Sequence, residues 1–383
     1  MDAIFEFDDE PADSGLETLV EQLTLDEADA DAVAVEVGRP AYAADGERGR
    51  LRAADFTPVR VLGQGAFGKV VLVRHERNGR LYAQKQLKKA VLVVHGRQAR
   101  ARHERAVLEA VRHPFVVRLQ YAFQDQHKLY LVLDYVEGGE LFTHLALERQ
   151  FGEPAAVFYG AELALALIHL HTVAGVMYRD LKPENCLVDR RGHLVLTDFG
   201  LSKTGDGART LAGTVEYMAP EILAGAGYGF AVDWWAFGAV VYELATGSPP
   251  FGGGGDRAAV MERITRADPP MPFYLSPDAR ALVTACLAKD PAERLSATAA
   301  DGVARLRGHA FFRDTDWAAL ERRDPALVPP VVPFVTDPAA AENFDERFTS
   351  QSVLSTDADY DADIETAGSP AFAGFSYSAS AGC

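Results

Sequence analysis

The chain has 383 residues, 48% hydrophobic and 24% charged, which excludes a fibrous or wholly disordered protein and suffices for one large or two medium domains. Its formal charge of -17 is unevenly placed: residues 1–52 carry 15 acidic and 4 basic side chains, and 336–383 carry 9 and 1, leaving 31 and 33 for the middle. Spread evenly, that charge would argue against nucleic-acid binding; instead the sequence reads as a near-neutral globule between two acidic tails.

In chain order, residues 1–52 are too poor in apolar surface to offset chain entropy and read as a disordered acidic tail, with a domain boundary expected at 55. Within it Leu16, Leu19, Val20 and Leu23 recur at helical spacing, either a binding-induced helix or a fluctuating turn. Strands are expected at Val59 to Leu62, Lys69 to Arg74, Leu81 to Leu87, Val116 to Phe123 and Leu129 to Leu133, interrupted by one helix, Arg97 to Ala110. From Glu140 to Phe312 helical periods dominate, as in Ala155 to His171 and Val232 to Thr246, with a strand pair at Cys186 to Val188 and His193 to Leu196. The expected fold class is α+β, a small β-rich lobe before a larger helical one. Beyond Trp317, Pro325, Pro329, Pro330 and Pro333 disfavour helix and sheet and predict an extended strap. Cys186, Cys286 and Cys383 have no metal-ligand spacing and cannot form a disulfide framework, so a reducing compartment is expected. No leader is visible, and the apolar stretch Trp234 to Ala245 is interrupted by Glu243, so no membrane span is expected either.

Gly63-Gln-Gly65-Ala-Phe67-Gly68-Lys-Val70 sets three glycines between strand-like runs, so backbone amides can approach phosphates without side-chain obstruction. A dinucleotide-binding fold uses the same spacing but needs a helix after the last glycine, where Val70 to Arg74 reads as strand. Lys85 lies on the next strand and Glu104 on the helix that follows. Either Lys85 points inward, paired with Glu104 and holding phosphate oxygens, or it is a snorkelling surface lysine.

Tyr178-Arg179-Asp180-Leu-Lys182-Pro-Glu184-Asn185, followed by Asp198-Phe199-Gly200 and Ala219-Pro220-Glu221, resembles the eukaryotic protein kinases, over nearly all of Phe56 to Phe312. The resemblance implies a bilobal kinase fold with ATP and Mg²⁺ as cofactors. Asp180 would orient the substrate hydroxyl, Lys182 steady the γ-phosphate, and Asn185 and Asp198 hold the metal. Leu62, Gly63, Gly65, Phe67, Gly68, Val70 and Ala83 would cover the nucleotide and Leu187 lie beneath it. Leu133 would be the gatekeeper and Asp134 to Val136 would offer backbone hydrogen bonds, with Lys85, Glu104 and Glu140 completing the nucleotide site. Glu221 would pair with Arg294, and Asp233 brace the catalytic loop.

Tyr178 in place of the commoner histidine, the strap and a C-terminal tail over 313–383 resemble the AGC group of Ser/Thr kinases. Asn343-Phe344-Asp345 resembles the segment that lends an aromatic ring to the adenosine pocket, and Phe372-Ala-Gly-Phe375-Ser376-Tyr377 the hydrophobic motif of that group. Phosphorylation is then implied at Thr210, at Ser376 and at Thr356, with Ser355 or Ser352 as alternatives because Asp357 replaces the usual proline. Arg179, Lys203 and Arg100 would receive a phosphate on Thr210, and Phe372 and Phe375 would dock beside the Arg97 to Ala110 helix. Ala212 stands where the group usually has cysteine. Glu140, Glu184 and Glu243 match positions that pair with substrate arginines in basophilic relatives.

Within the group the best match is the ribosomal-protein kinase branch, through Lys128 to Tyr135, Gly213 to Glu221, Phe344 to Gln351 and the Phe-x-x-Phe-Ser-Tyr end. Phe5-Glu-Phe7-Asp-Asp9 resembles the short motif by which that branch binds the TOR complex. The implied partners are basic Ser/Thr protein substrates, an activation-loop kinase of the phosphoinositide-dependent type and the TOR complex. A cytoplasmic or nuclear monomer without nucleic acid or membrane is expected. The alternatives are another AGC kinase, akin to protein kinase B or C, and a non-catalytic scaffold of kinase shape.

Overall fold

The computed structural model describes residues 51–65, 68–252, 256–353 and 372–379. Phe5 to Asp9, Leu16 to Leu23, Phe67, Ser355 and Thr356 lie outside them. Strands β1 (Phe56–Gly65), β2 (Gly68–His75), β3 (Leu81–Lys88), β4 (Leu119–Gln124) and β5 (Lys128–Asp134) form an antiparallel sheet, order β1-β2-β3-β5-β4, and β10 (Tyr377–Ser378) from the tail adds to its β4 edge. Both sheet faces are buried, so β2 is apolar on both: Leu72 joins Leu62 and Ala341, while Val71 and Val73 join Phe56 and Tyr82. A short helix α1 (Lys89–Val94), invisible in the sequence pattern, precedes α2 (Gln98–Ala110). Val116, expected in β4, instead makes an isolated parallel bridge to Leu196, and β4 begins three residues later.

The larger lobe contains α3 (Leu141–Glu148), α4 (Glu153–His169), α5 (Pro220–Leu223), α6 (Ala231–Thr246), α7 (Arg257–Arg266), α8 (Pro277–Cys286) and α9 (Ala300–Arg307). Short strand pairs β6 (Val176–Met177) with β9 (Lys203–Thr204), and β7 (Cys186–Val188) with β8 (Leu194–Leu196), carry the loops between them. Asp256 and Ser276 cap α7 and α8 by accepting from Ala259 and Ala279, and Pro277 starts α8 where its missing donor costs nothing. Helix α6 is apolar all round, with Trp234, Trp235 and Phe237 wholly buried, and so lies in the centre of the lobe. Its two carboxylates, Asp233 and Glu243, are buried with it and must be satisfied internally. The span Glu153–Ala174 is long and apolar enough to cross a membrane, but 72% of its most apolar window is buried inside the protein, as in a core helix.

After α10 (Trp317–Glu321) the proline-rich segment is extended and returns toward the small lobe, ending in α11 (Glu346–Thr349) beside β1. Arg60 donates to the Thr349 carbonyl at 3.2 Å, and Asn343 Nδ2 donates to the carbonyls of Glu137 (3.2 Å) and Phe334 (3.1 Å). Gly139 makes this crossing possible: its φ is +74°, and a Cβ there would lie 2.1 Å from the Asn343 carbonyl oxygen. Gly139→Ala should therefore destabilise the protein by about 1–3 kcal/mol and loosen the tail. Thermal unfolding and limited proteolysis of the 334–349 segment would measure this, and unchanged protease resistance would refute the crossing as the cause.

Candidate active site

Register in the small sheet places the site. Lys85 lies opposite Val70 on β2 and Leu131 on β5, while Ala83, two residues away on the same face, lies opposite Leu72 and Leu133. Leu62, Val70 and Ala83 cluster with Phe344 of the tail, whose ring stacks on Tyr135 at 5.8 Å. Leu133, Val136 and Leu187 belong to the adjoining core, and Leu187 bridges to Glu140 through backbone pairing. Gly63 and Gly65 end β1 opposite Val70 and Gly68. Gly68 answers to the sheet as well as to a ligand, since a Cβ there would lie 1.8 Å from the Gln86 carbonyl. The Asp134 amide is committed to the Arg118 carbonyl at 3.1 Å and its carboxylate accepts from Gln120 at 2.8 Å, so what this residue can offer a nucleotide from its backbone is its carbonyl.

Lys85 points inward. Its ammonium meets Glu104 at 2.7 Å and Asp198 at 2.9 Å, which settles the choice against a surface lysine. Burial opposes the Lys85 charge, but Asp198 and Glu104 outweigh it and hold its pKa above the ordinary value. Burial likewise opposes the Asp198 charge, yet Lys85 and the Gly200 amide keep its pKa below the usual carboxylate value. Phe199 is buried against Tyr178, with ring centroids 5.2 Å apart, which keeps Asp198 facing the site.

The catalytic loop is anchored from beneath by α6. Asp233 accepts from the backbone amides of Tyr178 (2.8 Å) and Arg179 (2.7 Å) and from His171 Nε2 (2.7 Å). Trp234 Nε1 donates to His171 Nδ1 at 3.2 Å, which fixes that imidazole as the Nε2–H tautomer. Asn185 Nδ2 donates to the Asp180 carboxylate and carbonyl, both at 2.8 Å, leaving its amide oxygen as a ligand. With Lys85 and the Gly200 amide both on Asp198 Oδ1, Oδ2 is the second hard oxygen, a donor pair that suits Mg²⁺ bound with nucleotide phosphates. Lys182 lies 3.7 Å from Asp180. Thr214, which the sequence reading passed over, joins them: it accepts from Lys182 at 2.8 Å and donates to Asp180 at 3.2 Å. Its place four residues after Thr210, in the run leading to Glu221, was the only signal. Glu221 and Arg294 form the expected bidentate pair at 2.7 and 2.9 Å.

Glu140, Glu184 and Glu243 also converge. Burial pushes Glu140 up to about 8, helped by Glu184 and Asp345 against Lys182. Burial pushes Glu243 up to about 7, opposed by a 2.6 Å hydrogen bond from Tyr217 and reinforced by Glu184 and Glu216. Glu140 Oε2 and Glu184 Oε2 are buried without a hydrogen-bond partner.

In the tail, Phe372 and Phe375 are buried in the main core, with the Lys89 ammonium 5.4 Å from the Phe372 ring centroid, and Ser376 is half-buried. Thr210 is only 1% exposed. The Arg179 guanidinium donates to Leu201 and Tyr228 rather than to the Thr210 hydroxyl, because in this conformation that side chain is turned into the protein.

A lysine bridging a helix glutamate and a loop aspartate, above a catalytic loop bearing Asp180, Lys182 and Asn185, defines a phosphoryl-transfer centre of the protein kinase class. The chain belongs to the protein kinase family: residues 56–303 match the protein kinase domain and 335–377 the protein kinase C terminal domain. It is 48% identical over 304 residues to ribosomal protein S6 kinase alpha-1 of Rattus norvegicus, covering 78% of this chain and 40% of that protein. It is 46% identical over 306 residues to ribosomal protein S6 kinase alpha-2 of Homo sapiens, covering 78% and 41%. It is 43% identical over 308 residues to the RAC family serine/threonine-protein kinase homolog of Dictyostelium discoideum, covering 79% and 67%. The chain thus spans about two fifths of the length of these S6 kinases.

Thr214→Val should lower kcat by about tenfold or more, the scale of a hydrogen bond to a charged group, with KM for ATP unchanged. Steady-state kinetics would test it, and a rise in KM for ATP alone would refute the assigned role.

Proposed function

We propose that the protein is an ATP-dependent serine/threonine kinase of the AGC type that acts on basic substrates. The observation that carries the reading is the simultaneous engagement of Lys85 by Glu104 and Asp198 above the Asp180–Asn185 pair. Bound Mg²⁺ and ATP would supply the phosphoryl group and neutralise its charge. Lys85 would hold phosphate oxygens, and Asn185 and Asp198 would present oxygens to the metal. Asp180 would accept and orient the proton of the target hydroxyl; burial raises its pKa and Lys182 opposes the rise, which suits a proton acceptor. Lys182, steadied by Thr214, would balance charge developing on the transferred group. Catalysis is then positioning and electrostatics.

Substrate class follows from the three glutamates. Carboxylate oxygens buried without a partner are costly, and a guanidinium offers paired donors that satisfy two at once. Arginine at the third position before the target Ser or Thr, with a second farther upstream, fits Glu140, Glu184 and Glu243. Regulation by phosphate on Thr210 and Ser376, a TOR-linked input and a cytoplasmic or nuclear setting belong to the same reading, which the similarity to S6 kinases supports.

ATP-dependent phosphorylation of an Arg-containing Ser/Thr peptide should be detectable and should disappear in Asp180→Asn; equal activity in that variant would refute the assignment. The acids must be ionised to hold arginine, and burial pushes Glu243 up to about 7 and Glu140 up to about 8, so the KM for such a peptide should fall as pH rises from about 6 to 8.5. The same measurement on a peptide with alanine at that position should show no comparable fall, and parallel profiles would refute the arginine site.

A further inference from the structure

An arginine three residues before a hydroxyl, the pattern that suits the Glu140, Glu184 and Glu243 cluster, occurs once in the chain itself. Arg347 precedes Ser350 at that spacing, and no other arginine is followed there by a serine or threonine. The hydroxyls tied above to regulation do not fit: Gly207 stands three residues before Thr210, Val353 before Thr356 and Ala373 before Ser376. A kinase with this preference leaves those sites to enzymes that read other patterns. Ser350 follows α11 directly and is exposed. The Arg347 side chain is 56% exposed, with Nη2 2.9 Å from the Asp345 carboxylate and Nε donating to it at 3.0 Å. An exposed pair of this kind contributes little, so glutamates on another molecule can take the arginine from it. Helix α11 has only four residues, too few to be stable by itself, so Arg347 to Ser350 can unwind into the extended form that a cleft accepts.

We infer that Ser350 is a phosphorylation site that one copy of this kinase modifies on another, with Arg347 as the recognition arginine. The inference rests on the basophilic kinase reading above. Transfer forms a bond between Ser350 Oγ and Pγ of ATP and breaks the bond from Pγ to the β,γ-bridging oxygen. ADP leaves, and the hydroxyl proton passes to Asp180 of the copy acting as enzyme. The position of the segment makes the step intermolecular. Phe344, six residues earlier, lies over the nucleotide face of its own molecule, and Arg60 holds the Thr349 carbonyl against β1 at 3.2 Å. Ser350 could reach its own Asp180 only by undoing that cover. Asp345 and Glu346 stand where a second arginine would be favoured, so Ser350 is a slower acceptor than a peptide with two arginines. The product is tolerated: a phosphate of about -1.5 to -2 charges there has Arg60 and Arg347 nearby to set against Asp345 and Glu346.

The test mixes wild type phosphorylated at Thr210, as enzyme, with the full-length ¹⁵N-labelled Asp180→Asn chain, as acceptor, in Mg²⁺ and ATP, and maps phosphate by mass spectrometry. Phosphate should appear on Ser350 of the labelled chain at an initial rate proportional to enzyme concentration. Adding Arg347→Ala to the acceptor should slow that rate by about tenfold or more, the scale of a lost charge-assisted hydrogen bond, with Arg347→Lys in between. Thermal unfolding of the three acceptors should coincide, because the altered side chain is exposed. Turnover of an Arg-containing peptide in the same mixture separates the two readings. An enzyme active on the peptide that leaves Ser350 unmodified overturns the inference and leaves the kinase reading standing; an enzyme inactive on the peptide refutes the kinase reading itself. Equal rates on the Arg347→Ala acceptor would overturn the recognition role of Arg347. Phosphate confined to Ser350 of the unlabelled chain, at a rate per molecule independent of concentration, would overturn transfer between copies.

Discussion

The Lys85 ammonium, 2.7 Å from Glu104 and 2.9 Å from Asp198, makes a strand of the small lobe, the helix α2 and the segment after β8 share one charge. Glu104 is buried while Lys85 and Asp198 are half-buried, so losing the shared ammonium would strand the Glu104 carboxylate, and the elements that carry the three groups are constrained to move together. The rest of the site is arranged around that constraint. The sheet register sets Lys85 in the row of Val70, α2 supplies Glu104, and Phe199 packed on Tyr178 keeps Asp198 facing inward.

The C-terminal tail packs beside helix α2, with the Arg105 guanidinium 5.9 Å from the Tyr377 ring. Phe372 and Phe375 are buried in the core, Gln124 donates to the Phe372 carbonyl at 2.7 Å, and β10 extends the sheet beyond β4. Arg112 donates to the Leu108 and Val111 carbonyls at the C-terminus of α2 and to the Tyr377 hydroxyl at 2.6 Å. The tail thereby presses on the helix that carries Glu104, and its earlier part lays Phe344 over the nucleotide face. One tail thus reaches both the neighbourhood of the helix that carries Glu104, where Arg105 meets the Tyr377 ring, and the nucleotide face.

Much of this was legible beforehand because its signals are local. Short apolar runs bounded by turn residues placed the strands to within a few residues, and the longer apolar periods gave α4 and α6. The motif spacing nominated Lys85, Glu104, Asp180, Lys182, Asn185 and Asp198, all of which the fold brings together. What stayed hidden has no local period: α1 is too short to show one, and the Asp134 amide was lost to Arg118, a partner across a strand register. Thr214, His171 and Tyr217 are ordinary polar residues in sequence and acquire roles only by facing a carboxylate.

The sequence alone determined the class of fold and the chemistry of the centre, because strand period, glycine spacing and carboxylate spacing are properties of neighbouring residues. The acidic tails, likewise, were visible in the charge count. Only the tertiary structure decided which inward-facing partners those groups have: Lys85 with two carboxylates, Arg179 with the phenol of Tyr228, and three glutamates set close enough to raise one another's pKa. Burial and distance between segments far apart in the chain set those choices, and the linear order of residues carries neither.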